Sequence, residues 1–177
     1  ISNYIKYKPL SDAFSNNEVN AEYIKTHHSN LQYDKGALKV FEKELEKCHR
    51  NNDLKKAIEI LTILAKTDVV FDYEEYDDAG NDTEFNPHIS AWWSFTDWLY
   101  AEARSSGNQI PTEDYDGYID ETYAVFDYKI SFRENVNGEI YGAAIYVDSV
   151  GWYELSASKN TASNRSFHSK RGGVMVD

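Results

Sequence analysis

Between residues 34 and 66, apolar side chains recur every three or four positions, which predicts two helices in succession. In the first, Ala37, Leu38, Phe41, Leu45 and Cys48 share one face; Asp34 is placed to cap it, and it runs to about residue 50. Lys39, Glu42, Lys43, Glu46 and Lys47 line the other side, a solvated face of mixed charge. Asn51 and Asn52 break the pattern, and Asp53 caps a second helix to about residue 66. Leu54, Ala57, Ile58, Ile60, Leu61, Ile63, Leu64 and Ala65 spread over an arc too wide for one interface, so burial on two sides is expected. So short a break between amphipathic helices predicts an antiparallel helical hairpin.

The flanks read differently. Residues 4–8 alternate enough for a short strand that Pro9 ends, and Asn16 or Asn17 then caps a short helix through Val19, Tyr23 and Ile24. Ser29, Asn30 and Gly36 separate it from the long helix. Over 69–76 the period drops to two, with Val69, Phe71 and Tyr73 on one side and Asp72, Glu74 and Tyr76 on the other; a turn over 77–82 and a return over 83–86 follow. Ser90 opens a third helix over 91–105, with Trp92, Phe95, Leu99 and Ala103 as its core stripe, Trp98 at the edge, and Trp93, Asp97, Tyr100 and Arg104 on the far side. Gly107 stops it, and 107–118 reads as an acidic loop.

Asn137-Gly138 is a strong hairpin signal. A turn centred there pairs Val136 with Glu139, then Phe132 with Ala143, Ile130 with Ile145 and Tyr128 with Val147 as three apolar pairs on one face, and Arg133 with Gly142, Ser131 with Ala144 and Lys129 with Tyr146 on the other. A one-residue slip would mix the two sets. A third strand over 150–156 carries Trp152, and from 157 the chain turns to Ser, Asn, Lys and Arg, read as a mobile basic tail. The expected architecture is α+β: one domain over 1–156, with a helical hairpin and a Trp-rich helix packed on a small antiparallel sheet, and a tail over 157–177.

Charge changes this picture most. Residues 68–127 hold sixteen Asp and Glu against one base, Arg104, a net −15, whereas 1–67 carry +2 and 128–177 carry +1, for −12 in all. A net charge of that sign disfavours direct binding to a phosphate backbone or an anionic membrane and favours a basic partner. The single cysteine leaves no internal disulfide. No apolar run nears the roughly 20 residues of a membrane span and no signal-peptide pattern is visible, so a cytoplasmic setting is expected.

The acidic span is interleaved with Tyr and Trp, residue types enriched at interface hot spots. The expected partner-binding set is Asp72, Glu74, Glu75, Tyr76, Asp77, Asp78, Asp82, Glu84, Trp93, Tyr100, Asp114, Tyr115, Asp116, Tyr118, Asp120 and Glu121. On a strand, Asp72 and Glu74 would stand about 6.6 Å apart, of the order of the phosphate spacing along one nucleic-acid strand. In composition this third of the chain resembles the phage and plasmid DNA-mimic inhibitors of restriction and CRISPR nucleases, and also the bacterial immunity proteins that neutralise basic nuclease toxins. Either resemblance implies a non-enzymatic inhibitor of a basic, nucleic-acid-processing protein. A solvated surface that only keeps the protein soluble is the plainer alternative.

Two further readings carry less. Asp114, Asp116, Gly117, Asp120 and Glu121, or the turn over 77–82, resemble parts of an oxygen-ligand loop, but neither matches the EF-hand pattern, so no metal is expected. His88 beside acids, or Asp116 with Asp120, would serve as an acid–base pair in a small hydrolase. None of His27, His28, His49, His88 and His168 has metal-ligand spacing, Cys48 lies on an apolar helix face, and no Gly-rich phosphate loop or nucleophile elbow appears; no cofactor and no catalytic residue is expected.

Overall fold

A computed structural model describes residues 2–69, 89–111, 120–134 and 137–156. In chain order these form α1 (Ser2–Ser15), α2 (Ala21–His27), a 3-10 turn (Leu31–Tyr33), α3 (Lys35–Arg50), α4 (Leu54–Lys66), α5 (Ile89–Ser106) and strands β1 (Asn108–Ile110), β2 (Asp120–Val125), β3 (Tyr128–Glu134), β4 (Ile140–Val147) and β5 (Gly151–Ser156). The strands make one antiparallel meander in the order β1-β2-β3-β4-β5. The architecture is α+β, as the sequence pattern predicts. The expected strand and turn over 70–88, the loop over 112–119 and the tail over 157–177 lie outside the described residues.

The helical hairpin forms as its caps dictate. Asp34 accepts from the Ala37 amide and Asp53 from the Lys56 amide, each at 3.2 Å, satisfying one of the bare donors at each helix start. The C-termini are closed in one way three times over. Asn17, Asn52 and Asp68 hold left-handed φ of 59°, 56° and 64°. The residue after each donates back across the last turn: Glu18 to Ala13, Asp53 to Cys48 and Val69 to Leu64. This is the Schellman arrangement, with Asn and Asp where glycine is usual, because their short polar side chains tolerate the left-handed region. Asn17 therefore ends α1 and does not start the next helix; Asn20 caps α2.

The strand expected over residues 4–8 is a helix instead, with Pro9 inside it. Proline removes one backbone bond there. Three buried side chains at helical spacing, Leu10, Ala13 and Phe14, outweigh that loss and the short alternation. Phe14 meets Phe41 of α3 edge-on at 5.0 Å, and Lys56 of α4 donates to the Phe14 carbonyl at 3.3 Å and to Asn17 at 3.0 Å, so α1 is held by both arms of the hairpin.

Gly36 separates nothing: it lies in the first turn of α3. A Cβ there would overlap the Tyr7 ring, whose hydroxyl donates to the capping carboxylate of Asp34. Gly36→Ala is expected to cost about 2 kcal/mol, from overpacking and loss of the Tyr7–Asp34 bond. Because the obstacle is one side chain, adding Tyr7→Ala should recover part of the loss, which a double-mutant denaturation cycle reads as coupling.

The sheet follows the predicted register. Lys129–Tyr146, Ile130–Ile145, Ser131–Ala144, Phe132–Ala143 and Arg133–Gly142 all pair, before a bulge sets Glu134 opposite Ile140. Val136 lies outside the described residues. Tyr123, Val125, Ile130, Phe132, Ile145, Val147 and Tyr153 face the helices and join Phe95, Leu99 and Leu61 in one buried core. The other face is buried at its centre, where Ser131 and Arg133 are only 2 % exposed and Thr122 donates to Ser131 at 3.1 Å, and partly exposed at Lys129, Tyr146 and Trp152. Two strands were not anticipated. β1 falls in the expected acidic loop, and β2 joins β3 by the two-residue turn Phe126-Asp127. Phe126 holds a φ of 54° there, where a bulky residue costs roughly 1–2 kcal/mol.

Candidate functional site

Part of the acidic span lies on described elements. Asp68 is exposed at the end of α4, Asp97 is exposed on α5, and Asp127 is exposed in the β2–β3 turn, so these three carboxylates face solvent from different elements. Glu102 and Glu121 are half-buried. Of the expected partner-binding residues, Trp93 belongs to α5 and Asp120 to β2, opposite Arg133 in the ladder. Asp72, Glu74, Glu75, Tyr76, Asp77, Asp78, Asp82, Glu84, Asp114, Tyr115, Asp116 and Tyr118 lie outside the described residues.

Two members of the set, Tyr100 and Glu121, meet each other. Glu121 sits opposite Phe132, on the sheet face that carries the core. Its Oε1 accepts from the Tyr100 hydroxyl at 3.0 Å and from the Tyr123 hydroxyl at 2.5 Å. The Tyr100 ring stands edge-on to Phe132 at 5.1 Å, with the Arg104 guanidinium 5.3 Å from its centre. Tyr100 is thus not on a solvent side of α5, as the helical pattern implied; it packs against the core, because the sheet covers α5 beyond its apolar stripe. Chemically the cluster is a clamp: the Glu121 carboxylate ties α5 to β2 through the Tyr100 phenol, and the Tyr123 phenol of the same strand holds that carboxylate in place.

Burial, then the Glu121 bond, pushes the Tyr100 phenol up to about 12, and the same causes in the same order raise Tyr123. A bond to Asp34, then burial, pushes Tyr7 up to about 12. A raised phenol stabilises the fold fully below its unfolded value of 10.0 and loses that contribution as pH rises toward 12. Stability is therefore expected to fall between pH 10 and 12. In an alkaline titration followed by phenolate absorbance, Tyr100→Phe should remove one of the late steps; an unchanged late amplitude contradicts the clamp.

The remaining reactive groups are engaged in packing. Burial, then the Asp53 charge, pushes the Cys48 thiol up to about 11, and the side chain is 4 % exposed, consistent with a core residue. His49 stacks on Trp98 at 5.1 Å, and the Trp98 indole donates to Asn52 at 2.7 Å, which docks α5 on the α3–α4 turn. The His27 ring lies 3.0 Å from the Tyr23 carbonyl, and His28 lies 3.7 Å from Asp34. His88 and His168 are outside the described residues. Among the described residues no three His, Cys, Asp or Glu converge as metal ligands, and no helix is long and apolar enough to cross a membrane. No family model, curated protein or solved structure matches the chain.

Proposed function

We propose that the protein is a non-enzymatic acidic inhibitor that engages a basic, nucleic-acid-processing protein through the carboxylates and aromatics of residues 68–127. The observation that carries this function is the charge partition: net −15 in one span, with near-neutral flanks. Charge serving solubility alone has no reason to be gathered in one third of a chain. Gathered charge steers an oppositely charged partner and raises its association rate. Carboxylates at the spacing that Asp72 and Glu74 would have on a strand would offer a DNA-binding groove the charge pattern of a nucleic-acid backbone. Anti-restriction and anti-CRISPR inhibitors act in this way, and an immunity protein for a basic nuclease toxin would use the same chemistry.

The first test is affinity capture from the native host lysate. One basic, nucleic-acid-binding protein should be retained stoichiometrically at low salt and released as ionic strength approaches 1 M, where the Debye length shrinks to about 3 Å. Competing duplex DNA should displace it. Recovery of no basic partner, or of a complex indifferent to salt and DNA, contradicts the function.

A further inference from the structure

Among the described residues, two large hydrophobic side chains are exposed, Tyr33 and Phe126. Phe126 is 55 % exposed and occupies the first of two turn residues, with φ of 54°. Glycine is the usual occupant where only that residue turns positive. A ring kept in water at a strained position contributes nothing to the fold that glycine would not, and strained positions cluster where a surface is used.

The next residues run directly into a groove of about 460 Å³ between the end of α4 and the two turns at one end of the sheet. Its walls include Lys66, Asp127, Tyr128, Lys129, Tyr146 and Asp148, with the Lys129 ammonium 4.5 Å from the centre of the Tyr146 ring. In a chain of net charge −12, this groove carries two cations and two anions. A basic partner would meet the lysines and an acidic one the aspartates. A surface with the same balance suits both signs at once, and a second copy of this chain presents it.

We propose that two copies associate about a two-fold axis, each placing Phe126 in the groove of the other. A two-fold contact requires one self-complementary patch, in which residue i meets j and j meets i. Here knob and groove are adjacent, and each Asp of one copy finds a Lys on the other. With one ring per copy as anchor, the dimer is weak and reversible. This association is independent of the basic partner proposed above.

Sedimentation velocity from micromolar to millimolar concentration tests it on the whole chain. The dimer fraction should rise with concentration. Phe126→Gly removes both anchors of the dimer and should weaken association by at least roughly a hundredfold, while Tm holds or rises because the strain is relieved. Asp127→Lys and Lys129→Glu should each weaken self-association, and an equimolar mixture of the two should restore it, since opposite charges then face each other at both ends of the axis. A wild type that stays monomeric to millimolar concentration overturns the proposal. So does a Phe126→Gly variant that dimerises as well as wild type, or a mixture that shows no recovery.

Discussion

Gly107→Ala is expected to destabilise the fold by roughly 3 kcal/mol, lowering Tm by about 6–12 °C, without any change in surface charge. Gly107 links α5 to β1, and its amide closes the last turn of α5 onto Ala103 at 2.9 Å. A Cβ there would lie 2.5 Å from the Ala124 carbonyl oxygen, 2.7 Å from a Val125 methyl and 3.0 Å from the Ala103 carbonyl oxygen. Two of these three obstacles are backbone. One belongs to β2 at the position that pairs with Asn108. Relief therefore requires moving the helix end away from the sheet or opening the β1–β2 ladder. Adding Val125→Ala should not rescue the variant, because it leaves the carbonyls in place; this contrasts with Gly36, where the obstacle is a side chain. Gly138→Ala provides the complementary control. Its added Cβ would meet only the end of Glu134 at 3.9 Å, but φ is +83°, so the cost is backbone strain of about 1 kcal/mol. Thermal and urea unfolding of the three variants should rank Gly107 and Gly36 above Gly138. A Gly107→Ala protein as stable as wild type would contradict the described packing of α5 on β2.

Some local signals are legible in the sequence, and others are not: Asn17 ends a helix where it reads as a start, and Ser90 lies inside α5, which begins at Ile89. Asp34 and Asp53 cap as read because a cap needs only its own helix. Five predicted pairs between β3 and β4 form because alternation sets the face, although the register shifts at Glu134 and Asn137 is not among the described residues with the positive φ that the expected two-residue turn requires. Signals that depend on distant residues are not legible in the sequence. α1 reads as a strand over five residues until Phe41 and the hairpin are present to bury Leu10 and Phe14. β2 is hidden because Phe126-Asp127 lacks the Asn or Gly that marks a tight turn. The same limit applies to function. A helical wheel places Tyr100 with Asp97 and Arg104, but only the sheet reveals that Tyr100 meets Glu121. The charge partition is legible in a count; the directions of its carboxylates are a property of the fold.

Reversing Asp72, Glu74, Asp77 and Asp78 to Lys should weaken partner binding at least about a hundredfold. Each reversal shifts the charge by two units, so together they take the protein from −12 to −4 and place four cations where a basic partner expects anions. The apolar pattern of Val69, Phe71 and Tyr73 is untouched. A typical surface substitution is worth about ±0.5 kcal/mol, and on the proposed reading these four side chains are displayed to the partner, so Tm is expected to stay within a few degrees of wild type. Tyr100 and Glu121 serve as an internal comparison. They bond to each other across the α5–sheet seam, so Glu121→Gln should lower stability more than it lowers affinity. The most direct test is a binding titration of the captured basic partner against wild type and the four-fold reversal, at low and high salt. Tight, salt-sensitive binding by wild type, lost in a reversal variant that still folds, is the predicted result; a reversal variant that binds as tightly as wild type contradicts the acidic face as the site.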